Sequence, residues 1–177
     1  MRTLTRRIVL LIGLVLLIDA NVAMADPVPD HVHATAVVTV TVDEIIEWAA
    51  PNFAEIHLLT ITARDDAPEA SKSLVLYTNC NLTITADHTA AAQLTKTTDT
   101  LVTEYKLEYD GDGDPDTGGA TVDWAEYDDF IPVGSAVIHY TLDGAVNVTL
   151  SARASNDAGN VADAGDYTAT QTLTATF

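Results

Sequence analysis

Thr35-Ala36-Val37-Val38-Thr39-Val40-Thr41-Val42 is β-branched at seven of its eight positions. Branching at Cβ restricts χ1 and suits a pleated surface better than a helix. Side chains alternate across a strand, so Val38, Val40 and Val42 share one face and Thr39 and Thr41 the other. The same alternation returns at Ile56–Ala63, Ser73–Tyr77, Asn81–Ala86, Thr100–Tyr109, Ala136–Leu142, Val146–Ala154 and Tyr167–Phe177. Asp, Gly, Pro and Asn punctuate the intervals. Only Asp43–Ala50 has a pattern open to a helix, which Pro51 would stop. The expectation is an all-β chain: a single antiparallel β-sandwich of about eight strands.

Upstream of that run lies an export signal. Arg2, Arg6 and Arg7 precede the apolar Ile8–Ile18, and Ala23-Met24-Ala25 offers small residues for a peptidase. As a helix, Ile8–Ile18 would span about 16 Å, roughly half a bilayer core. A cleaved signal over 1–25 is expected rather than a permanent membrane anchor, with general secretory export favoured over the twin-arginine route. Residues 26–33 read as an extended leader and 34–177 as the β domain. The chain is then secreted or on the cell surface, with no transmembrane segment after cleavage.

The whole chain carries a formal charge of −18, with 26 acidic against 8 basic residues. Losing the three signal arginines makes it more acidic still. Such a surface repels phosphate, which argues against nucleic-acid partners, and favours cations. Cys80 is the one cysteine, so no internal disulfide can form and the fold rests on packing. Its apolar surroundings favour a small packed side chain.

Asp163-Ala164-Gly165-Asp166-Tyr167 resembles the D-x-G-x-Y tyrosine corner of immunoglobulin-like domains, in which the Tyr hydroxyl bonds back to the main chain. Ala169 stands where antibody domains place their second cysteine, and an antibody domain adds a further strand after this point. Gly165–Thr174 is similar to the terminal strand of many secreted bacterial fimbrial, spore-coat and surface β-sandwich proteins. That resemblance implies an immunoglobulin-like sandwich able to assemble by lending a strand to a neighbour.

The clearest chemical motif is Asp110-Gly111-Asp112-Gly113-Asp114-Pro115-Asp116. Calcium takes six to eight oxygen ligands, and carboxylates two residues apart on a turning backbone can converge on it. Glycine supplies the positive φ such turns need. The spacing departs from an EF-hand, because Pro115 occupies the glycine position and Thr121 the twelfth. A different Ca2+ loop over Asp110, Asp112, Asp114 and Asp116, assisted by Asp123, is the candidate metal site. A solvated hairpin loop is the plain alternative.

Trp124, Tyr127 and Phe130 follow that loop. Trp124 and Tyr127 are candidates for stacking on a sugar or a partner, against the simpler reading that they pack under the loop. His31 and His33 would share a strand face, but no third ligand is near in sequence. No G-x-S-x-G elbow, H-E-x-x-H pair or phosphate-cradling loop occurs, so no catalytic residue is assigned. The composite expectation is a non-enzymatic structural or adhesive module of a surface or filament, self-associating through strand addition by Asp30–Val42. The alternative is a calcium-dependent carbohydrate-binding module.

Overall fold

The computed structural model describes residues 33–109, 120–139, 144–157 and 159–177. The chain divides into two units, residues 1–41 and 42–177. Residues 33–41 of the first form no strand, and their side chains are exposed.

The second unit is all-β and antiparallel throughout its described part. Its strands are β1 (Ile46–Trp48), β2 (Glu69–Thr78), β3 (Leu82–Ala86), β4 (Thr95–Lys96), β5 (Asp99–Thr100), β6 (Val102–Tyr109), β7 (Ala120–Glu126), β8 (Ser135–Val137), β9 (Ala145–Ser155) and β10 (Leu173–Thr176). One sheet has the order β1-β2-β9-β6-β7, a second β10-β3-β8, and β4-β5 form a small hairpin. One 3₁₀ turn, Ala90–Ala92, is capped by the Thr89 hydroxyl.

Period-two burial builds the core. On β6, Thr103, Tyr105, Leu107 and Tyr109 are buried while their neighbours are half-exposed. On β9, Val146, Val148, Leu150, Ala152 and Ala154 are sealed. The second sheet answers with Leu82, Ile84 and Val137. Phe130, wholly buried between Asp129 and Ile131, fills the space beside Tyr105 at 5.6 Å between ring centres. Polar atoms in this core are satisfied where they sit. Tyr105 Oη donates to the Ala92 carbonyl at 2.7 Å, and burial pushes its pKa up to about 12. The buried Thr103 hydroxyl donates to Leu101 O and accepts the Leu94 N–H.

Four expected elements differ. Of Tyr167–Phe177 only Leu173–Thr176 is a strand, the preceding residues having one isolated bridge, Thr168 to Thr95. Thr35–Val42 is not a strand: β propensity measures fit to a neighbouring pleated surface, and the segment forms no ladder. Ile56–Ala63 is also not a strand, although Phe53, Ile56 and Leu58 pack against the core. The Asp66 carboxylate takes the N–H groups of Thr62 and Ala63, both at 2.7 Å, and turns the end of that run away from any ladder. Asp43–Ala50 contains β1 instead of a helix. Asn79 holds this approach extended, accepting the Ile45 N–H at 2.8 Å and donating to the Asp43 carbonyl at 2.9 Å. β1 then pairs with Leu76–Thr78.

Candidate functional site

The acidic loop bearing Asp110, Asp112, Asp114 and Asp116 lies outside the described residues, as do His31 and the signal segment. It connects β6 to β7. Tyr109 ends β6 buried, its hydroxyl donating to Ala136 O at 2.6 Å beside Ser135 Oγ at 2.5 Å. Asp123 is exposed on β7. Among the described residues, no three His, Cys, Asp or Glu side chains gather as a metal site. Cys80 is half-buried, with its sulfur 3.5 Å from the Thr78 hydroxyl.

Trp124 and Tyr127 take different environments. Tyr127 packs against the core. Trp124 faces the outer surface of the large sheet, where the Arg153 guanidinium lies 4.6 Å from its ring centre. A bulge between β6 and β7 sets this direction, since Tyr105 pairs with Ala125 but Leu107 with Val122. Arg153 also grips Glu104, directly across from it on β6, with Nε to Oε2 at 2.6 Å and Nη2 to Oε1 at 2.7 Å. That bond lowers the Glu104 pKa despite partial desolvation, and raises that of Arg153. One ring face of Trp124 is therefore occupied.

The D-x-G-x-Y stretch forms a closed corner. Tyr167 Oη lies 2.9 Å from the Asp163 carbonyl and closer still to the Asp99 carboxylate. Asp99 also accepts the Asp163 N–H at 2.6 Å. Lys96 Nζ donates to Ala164 O at 2.5 Å. Gly165 has φ +148, and a Cβ there would meet Lys96 at 2.8 Å. The β4-β5 hairpin is thus tied to the start of the last segment of the chain. Hydrogen bonds from Tyr167 and the Asp163 amide lower the Asp99 pKa. Desolvation, then the Asp99 bond, pushes Tyr167 up to about 12. Asp99 is the residue that sequence reading missed, for nothing local announces a partner so distant.

From Thr168 to Thr176 the even-numbered residues aim their main-chain groups in turn at β4, the 3₁₀ turn and β3. Thr168 and Thr95 exchange N–H···O bonds at 3.2 and 3.1 Å, Thr170 N–H meets Ala91 O at 2.7 Å, and Asp87 N–H meets Thr172 O at 2.9 Å. Continuing that alternation along β10 turns the main-chain groups of Ala169, Gln171, Leu173 and Ala175 to the other side. Among the described residues, no strand lies there, and β10 is an edge of its sheet. The side chains alternate as well, with Ala169, Gln171, Leu173 and Ala175 half-buried and the intervening threonines exposed.

Comparison of the chain with protein-family models, with curated proteins and with solved structures finds no match.

Proposed function

We propose that this protein is an exported, non-enzymatic structural or adhesive module, a subunit of a cell surface or filament whose copies join by strand addition. The observation that carries the reading is the condition of Thr35–Val42. This uncharged and strongly β-forming run forms no strand, and Val38, Val40 and Val42, which alternation would place on one face, are 90%, 87% and 67% exposed. Aligned valines held in water mark a surface built to be covered. Burying Val38, Val40 and Val42 gains about 1.5–3 kcal/mol each. With ladder hydrogen bonds, that sum is of the same order as an association cost of roughly 4–15 kcal/mol. The negative charge of each copy opposes association, so screening salt strengthens it. Ca2+ held by Asp110, Asp112, Asp114 and Asp116 is the proposed stiffener of the β6–β7 loop.

Size-exclusion chromatography of the chain from Asp26 onward tests the reading, at low salt and at about 1 M salt. Concentration-dependent oligomers that vanish when residues 26–42 are deleted are expected. A strict monomer, unchanged by the deletion, would rule it out.

A further inference from the structure

We infer that the outward edge of β10 receives the Thr35–Val42 segment of a second copy of this chain as an added strand. The inference rests on the assembly reading above and names its acceptor.

The edges of the two sheets are guarded unequally. Folded proteins blunt exposed edges with charge, bulges, proline or short strands. β7 carries Asp123 and Glu126 and a bulge against β6. β1 is three residues long with Glu47 at its centre, and the part of β2 that β1 leaves unpaired bears Glu69 and Lys72. β8 has three residues and β10 four, but the main-chain alternation of β10 continues back to Thr168 through its bonds to Thr95, Ala91 and Asp87. Ala169–Phe177 contains neither charge nor proline.

Burial indicates a missing neighbour at the same edge. Leu173 and Ala175 face the core yet stay half-buried, whereas Leu82 and Ile84 on adjoining β3 are 4% and 0% exposed. A strand laid beside β10 with apolar groups on its inner face would seal them. Thr35–Val42 offers Ala36, Val38, Val40 and Val42 on one face. The lengths agree, since eight extended residues span about 27 Å and nine about 30 Å. The outward main-chain groups of β10 supply the ladder. Neither partner carries a charge that the pairing would desolvate.

Cysteine pairs test this in the chain from Asp26 onward carrying Cys80→Ser. Thr39→Cys is combined in turn with Thr172→Cys, Thr174→Cys and Thr176→Cys, all on the exposed face of the proposed pair. Control pairs use Ser71→Cys on β2 and Asp123→Cys on β7. Mild oxidation should give disulfide-linked dimers and longer ladders, dominated by one β10 position and absent from the controls. Ala175→Pro should weaken association by roughly tenfold or more. The N–H it removes points outward, and proline is tolerated on edge strands in that position, so circular dichroism should stay unchanged and Tm should fall little beside the loss of association. Should that variant misfold, the cysteine pairs decide alone.

Links through Ser71 or Asp123, or association untouched in a folded Ala175→Pro variant, overturn the edge assignment while leaving assembly standing. Disulfides formed only within one chain overturn the second copy as the occupant. A chain that stays monomeric and links nowhere overturns both the edge and the assembly reading.

Discussion

Arg153 on β9 holds Glu104 on β6 through two parallel bonds of 2.6 and 2.7 Å while its guanidinium covers Trp124 on β7. Three adjacent strands of the large sheet are joined at one row of side chains. Planar, two-pronged contact is the geometry in which an arginine–carboxylate pair is strongest. Arg153 and Glu104 remain 31% and 21% exposed, so water discounts the gain.

Glu104→Gln should therefore cost only about 1 kcal/mol in urea unfolding. Arg153→Ala should cost more, because it also uncovers Trp124. Its emission should shift to longer wavelength, with no such shift in Glu104→Gln. Equal spectra in both variants would contradict the stacking.

Tyr167→Phe removes the hydroxyl from the Asp163 carbonyl and the Asp99 carboxylate. The folded pKa of Asp99 is lowered, so its contribution is present above the unfolded value near 4 and fades as pH falls through the folded one. The folded pKa of Tyr167 is raised to about 12. Its contribution is complete below the unfolded value near 10 and is lost as pH rises toward the folded value. The Tm gap between wild type and Tyr167→Phe should be widest between about pH 5 and 9 and narrow on both sides. A gap that grows in acid would refute the assignment.

Phe130→Ala should be among the most damaging single changes, at about 3–5 kcal/mol. The ring is wholly enclosed and packs at a tilt against Tyr105. Chemical denaturation measures it, and a loss under about 1 kcal/mol would mean that the site collapses around the cavity.

Ca2+ at the Asp110–Asp116 loop should raise Tm, and a chelator should reverse the rise. Asp112→Asn together with Asp114→Asn should abolish the difference. Identical melts in millimolar Ca2+ and in chelator would remove the metal from the account.

Much of the fold was legible because alternation and burial coincide. Val146–Ala154 and Asn81–Ala86 read as strands, and β9 and β3 form there, burying Val146, Val148 and Leu150, and Leu82 and Ile84. Thr35–Val42 reads even more strongly, yet forms no strand, because propensity says what a segment fits and not whether a neighbour is present. β1 was hidden, since Ile45, Ile46 and Trp48 suit a helix face as well as a short ladder. Tyr167 announced its own corner, but Asp99 enters through tertiary folding alone. Trp124 and Tyr127 were found as a pair, but their different surroundings depend on a bulge that local sequence does not specify.

Hydrogen–deuterium exchange across residues 35–42, followed as protein concentration rises, tests the central claim most directly. The account predicts amides that exchange at nearly the unprotected rate in dilute solution and become protected as copies associate, together with those of Ala169, Gln171, Leu173 and Ala175. Fast exchange in residues 35–42 at every concentration, or full protection already in the monomer, would contradict it.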